Sequence, residues 1–127
     1  MPLFNNWMDM PEFIPREGIS QRGFKGDNVM LTYNVLTPEL EPKPHSHTYE
    51  QLFMIIKGRV RLHMGDQVID CVPGTMLRIP PGVTHWCEPP LAEDGECINV
   101  DIFSHVRDDY LHLVAHQDDA PGNEAPN

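Results

Sequence analysis

The sequence predicts an all-β domain, a barrel or sandwich assembled from short strands. Three observations carry that prediction. From Asn28 onward, short segments rich in β-branched and aromatic side chains recur at near-regular spacing. Turn signals separate them, at Lys57-Gly58, Gly65-Asp66, Pro73-Gly74 and Pro80-Pro81-Gly82. The 13 prolines and 9 glycines cut the 127 residues too often for a helical bundle.

In chain order, residues 1–27 read as an extended arm, interrupted by Pro2, Pro11, Pro15, Gly18, Gly23 and Gly26. Such an arm supplies edge strands to the barrel or a contact to a dimer partner, which Phe4, Trp7 and Phe13 would suit. Residues 28–36, NVMLTYNVL, form a strand, whereas 37–44, TPELEPKP, hold three prolines and cannot be a central one. Strands follow at 45–56, 59–64, 67–72, 76–79, 84–88 and 96–103. Residues 105–116 close the barrel as a short helix or irregular segment, so the barrel spans 28–116. The stretch 117–127 is acidic and without an apolar anchor, and is expected to be a loose tail.

Composition narrows the function. A net charge of −10, from 19 acidic against 9 basic residues, argues against a nucleic-acid binder, which would need a basic face. It also disfavours anionic membrane surfaces. No apolar run is long enough to span a bilayer, and the first residues lack the charged and apolar regions of a signal peptide. A cytoplasmic location is the expectation. Cys71, Cys87 and Cys97 are an odd count and imply no disulfide framework.

The chemistry concentrates in HSHTYEQLFMIIKG, residues 45–58. On a strand, alternate side chains share a face, so His45, His47, Tyr49, Gln51, Phe53 and Ile55 point one way. Gln51 is thereby selected over Glu50 as an oxygen ligand, unless a bulge brings Glu50 round. A second stretch, GTMLRIPPGVTH, residues 74–85, adds a stiff turn and His85. Three neutral imidazoles and one oxygen suit one divalent transition metal (Zn, Ni, Fe or Mn) with positions left for water or substrate.

The two stretches resemble the paired motifs of the cupin superfamily, with matches at His45, His47, Gln51, Gly58, Gly74, Pro80, Gly82 and His85. Only the final Asn of the second motif is replaced, by Pro89. The resemblance implies a double-stranded β-helix, or jelly roll, and a homodimer, since small cupins commonly pair through their sheets.

With Gln51 as the fourth ligand all ligands are neutral, and the site keeps the metal's double charge, favouring an anionic small-molecule substrate. In ECINVDIF, Cys97, Asn99, Asp101 and Phe103 share one face, which would line the cavity; Asp101 is then a general acid/base, or else a solvated surface carboxylate. The segment DIFSHVRDDYL, residues 101–111, is similar to the closing segment of cupins that linearise unsaturated monouronates. That likeness implies that Asp101 handles protons, Phe103 shapes the pocket and Arg107 binds the carboxylate; Tyr49, Phe53 and Asn99, from their strand faces, are expected to line the same pocket. It departs from that group at His105, where Pro is usual, and in the longer 89–96 loop.

Other features carry alternatives. Cys87 shares the face of His85 and is either a thiolate near the metal or a buried structural thiol. His112 and His116 have helical zinc spacing but no third ligand, and also read as surface residues. Tyr49 and Trp86 are expected to wall the cavity or its rim. For function, a metal-dependent enzyme opening or tautomerising unsaturated uronates leads. An iron-dependent dioxygenase is the second enzymatic reading, and a sugar-binding or sensing module the non-enzymatic one.

Overall fold

The computed structural model describes residues 4–119. Among the described residues, nine strands form two antiparallel sheets. The larger holds β1 (Phe13–Arg16), β2 (Ile19–Lys25), β3 (Met30–Leu36), β4 (Gln51–Lys57), β7 (Met76–Ile79) and β9 (Cys97–Phe103), in the order β1-β2-β3-β9-β4-β7. The smaller holds β5 (Val60–Met64), β6 (Gln67–Cys71) and β8 (His85–Cys87), in the order β6-β5-β8. The two sheets form a jelly-roll barrel, the all-β architecture expected.

The residues called an arm are part of this barrel. β2 pairs with β3 along its whole length, and β1 folds back on β2 as the edge strand. Trp7 lies flat on Tyr33 at 4.8 Å between ring centroids, and Phe13 packs with the apolar cluster of Met30, Phe103, Leu113 and Val114.

Period-2 alternation decides what faces inward. In β4, Gln51, Phe53 and Ile55 are buried while Leu52 and Ile56 are exposed. In β3, Thr32 and Asn34 are buried polar residues between Met30 and Leu36. A second apolar cluster, including Leu36, Phe53, Ile55, Leu62 and Ile79, fills the space between the sheets. The polar side chains of β3, β4 and β9 lie between the two clusters, so burial creates one polar pocket inside an apolar barrel.

Three boundaries differ from expectation. The strand expected at 45–56 begins only at Gln51; of residues 45–50, only His45 pairs, in an isolated bridge with His85. The closing segment is a run of 3-10 turns, Asp108–Asp119. Finally, Gln117, read as the start of the tail, is buried and clamps Lys25, accepting from its N–H (2.8 Å) and donating to its carbonyl (3.0 Å). Packed chain therefore continues past residue 116, and the rest of the expected tail, 120–127, lies outside the described residues. No helix of the described residues is long and apolar enough to cross a membrane.

Candidate metal centre

Backbone bonds between the two motifs bring the histidines together. His45 and His85 form a two-way bridge, His45 N–H to His85 carbonyl at 3.1 Å and the reverse at 2.9 Å. Gly82 N–H donates to the His47 carbonyl at 2.7 Å, so the stiff Pro80-Pro81-Gly82 turn is fastened to the first motif. The outcome is a triad whose ligand nitrogens all lie within 4.8 Å of one another.

Each imidazole is held in the same way. Nδ1 of His45, His47 and His85 contacts the carbonyl of Lys43 (2.8 Å), Tyr49 (2.7 Å) and Val83 (2.9 Å) respectively. A carbonyl only accepts, so Nδ1 carries the hydrogen and each neutral ring turns an Nε2 lone pair towards the centre. Burial favours the neutral ring at two of them: it lowers the pKa of His45 and pushes that of His85 down to about 4.

Gln51 completes the set. Its Nε2 donates to Asp101 Oδ1 at 2.7 Å, which fixes the amide and turns Oε1 towards His47 Nε2, 3.0 Å away. Two acceptors thus face each other, and His85 Nε2 is buried with no hydrogen-bond partner among the described residues. Both are costly without a cation and natural with one. Three imidazole nitrogens and an amide oxygen therefore fit a divalent transition metal. Glu50 takes no part; it points outward and pairs with Arg78 at 2.7 Å.

Behind Gln51, Asp101 accepts from Gln51, from Asn99 Nδ2 (3.0 Å) and from Asn34 Nδ2 (2.9 Å). Desolvation outweighs these three donors and pushes its pKa up to about 6. It lines a cavity of about 80 Å³ together with His45, Gln51, His85, Phe53 and Asn99. Ligand pockets for drug-sized molecules run to roughly 300 Å³ and more, so this one fits a small ligand. Phe103 also lines it.

Two expected pocket residues do other work. Tyr49 is absent from the cavity wall; it stacks on His47 (4.4 Å, 6°) from behind. Arg107 does line the cavity, but Asp109 occupies its Nε (3.0 Å) and Nη2 (2.6 Å), and the guanidinium lies over Tyr110 at 3.8 Å and Phe103 at 4.9 Å.

The remaining alternatives resolve similarly. Burial pushes the Cys87 thiol far up, which favours the structural thiol over a thiolate, although Cys87 does line the cavity. Trp86 stacks on His63 (3.9 Å, 9°) and also lines the cavity, as expected. In 3-10 geometry, residues four apart do not share a face, and His116 Nε2 instead donates to the Gly23 carbonyl at 2.8 Å.

Sequence reasoning missed Asn34, Arg16 and Asp109. Asn34 was legible, since Met30, Thr32, Asn34 and Leu36 alternate through β3. Arg16 and Asp109 left no local signal.

The family model for the Cupin domain matches residues 33–101, more than half of the chain, from β3 through the triad to Asp101. The chain belongs to the cupin family. Among solved structures, this cupin is similar to an RmlC-like cupin from Shewanella frigidimarina, with a TM-score of 0.77 at 18% identity over 87% of this chain and 96% of that one. It is also similar to KdgF from Halomonas sp., with a TM-score of 0.72 at 18% identity over 80% and 92%. At that identity the likeness shows the fold. An acireductone dioxygenase from Stenotrophomonas maltophilia is 34% identical over 77 residues, which cover 54% of this cupin and 42% of that protein. This cupin thus spans less than half of that relative.

Proposed function

We propose that this cupin is a metal-dependent enzyme for a small, anionic, oxygen-rich substrate, and that its reaction is the ring opening or tautomerisation of an unsaturated uronate. The observation that carries the reading is Asp101. A carboxyl group with its pKa pushed up to about 6 faces the cavity one hydrogen bond from the ligand amide. A group so tuned both takes and gives a proton near neutral pH. A divalent ion, when bound, supplies Lewis acidity for substrate oxygens. The chain's own residues do the rest. Asp101 moves the proton, Asn34 and Asn99 hold its carboxylate in place, and Phe53 and Phe103 keep the cavity apolar beside it.

Support for the uronate comes from the likeness of residues 101–111 to the uronate-linearising cupins. Asp101→Asn should abolish loss of alkene absorbance on unsaturated monouronates while metal content stays that of the wild type. Retained turnover would remove Asp101 from the chemistry.

A second reading, an iron-dependent dioxygenase, is favoured by the partial match to acireductone dioxygenase. Oxygen consumption requiring ferrous iron, without uronate turnover, would select it. The same account takes the chain as a cytoplasmic homodimer, for which the apolar outer face of the large sheet speaks: Leu52, Ile56 and Met76 are all exposed.

A further inference from the structure

Arg16 enters the cavity by a route the sequence conceals. On β2, Ile19, Gln21 and Gly23 face inward; Ile19 and Gln21 line the cavity, and Gly23 admits Leu113, whose Cβ lies 2.7 Å from where a glycine Cβ would be. Phe13 pairs with Gln21 and Arg16 with Ile19, so both Phe13 and Arg16 take the inward side. Positions 13 and 16 differ by an odd number and would face oppositely on a regular strand. The register shift between them restores the match; it is a bulge that re-aims Arg16 into the cavity.

The side chain is then anchored. Its Nε donates to the Glu41 carbonyl at 2.8 Å. The hairpin turn behind it is pinned to the same segment by Thr37 N–H to Gly18 carbonyl (2.9 Å) and Glu41 N–H to Glu17 carbonyl (3.1 Å). Two residues further along, the Lys43 carbonyl fixes the ring of His45. Arg16 and a metal ligand thus hang on one short, fastened piece of backbone. Its charge is felt at His45 and at Cys87, both on the cavity wall.

Arg16 and Arg107 differ in one respect that decides their roles. Arg107 is already paired with Asp109 through two of its nitrogens. Among the described residues no carboxylate pairs with Arg16, and its two terminal nitrogens are uncommitted, with the fork geometry that binds a carboxylate in two places.

We infer that Arg16, rather than Arg107, receives the carboxylate of the substrate, and that Arg107 with Asp109 builds the aromatic wall. The inference rests on the enzymatic reading only in requiring that a small carboxylate enters the cavity.

The test is calorimetric titration of zinc-loaded wild type, Arg16→Gln, Arg16→Lys and Arg107→Gln with galacturonate and with glycolate. Gln keeps an N–H for Glu41 but loses the charge, and equal zinc content in all variants controls for folding. Loss of a charge-assisted pair predicts affinity about tenfold or more weaker for Arg16→Gln towards whichever carboxylate binds, with partial recovery in Arg16→Lys. If galacturonate fails to bind any form while glycolate binding still depends on Arg16, the uronate reading falls and the assignment of Arg16 stands. The assignment is overturned if Arg16→Gln binds as the wild type does, or if neither carboxylate binds the wild type.

Discussion

Gln51 meets two demands that only an amide satisfies together. Its oxygen faces His47 and the metal position, while its nitrogen donates to Asp101 at 2.7 Å. A glutamate would serve the metal and oppose Asp101 with a second acceptor. Gln51→Glu is therefore expected to keep its metal, and to lose about 1–3 kcal/mol of stability in the metal-free state, the cost of an unpaired buried acceptor. Urea denaturation of the two apo-proteins checks this; equal stability would contradict it. Acid adds a second test. His85 is held at about 4 against an ordinary 6.5, so on acidification the unfolded chain takes up a proton that the native state refuses, and stability falls as pH falls through that window. Asp101, at about 6 against 3.8, does the opposite: the native state keeps a proton the unfolded chain releases, so its contribution falls as pH rises. The two oppose each other between about pH 4 and 6. Metal-free Asp101→Asn, stripped of one, should lose stability more steeply than wild type from pH 6 to pH 4.5, and parallel curves would refute the assignment.

Among the elements, the β1–β2 hairpin and the 45–50 segment show what the sequence holds and what it withholds. The parity argument places Gln51 on the inward face because Gln51, Phe53 and Ile55 do lie on a strand. It reaches His45 and His47 for a different reason, since those residues are placed by bonds to His85 and Gly82, partners far away in sequence. Spacing alone carries the ligand set because the motif encodes both ends of those bonds. Arg16 is different. Its inward direction depends on a bulge, and a bulge reverses every parity argument beyond it. The 3-10 character of Asp108–Asp119 was equally illegible; the segment is held by long-range contacts, the clamp of Gln117 on Lys25 and the packing of Leu113 and Val114. Gly18 gives the hairpin a test. Its φ is +83°, and a Cβ there would lie 2.1 Å from the Leu40 nitrogen, so any side chain forces the hairpin off the 37–45 segment. Gly18→Ala should cost about 2 kcal/mol or more in thermal or urea unfolding, from left-handed strain and the clash together. A neutral result would mean that the hairpin is not fastened there.

For the molecule as a whole, the cupin barrel uses its apolar clusters to isolate one polar pocket and leaves an apolar sheet face outside. If that face joins two copies, the 14.5 kDa chain should sediment at twice its mass, and Leu52→Glu with Met76→Glu should return it to the monomer. A wild-type monomer would rule the pairing out. The central claim is narrower than the reaction or the assembly: His45, His47, His85 and Gln51 form one site for a divalent metal. Elemental analysis of the purified protein after reconstitution and desalting measures it directly. The account predicts one ion per chain in the wild type and in Asp101→Asn, and none retained in His85→Ala. A wild type that holds no ion, or a His85→Ala variant that keeps its full complement, would contradict it.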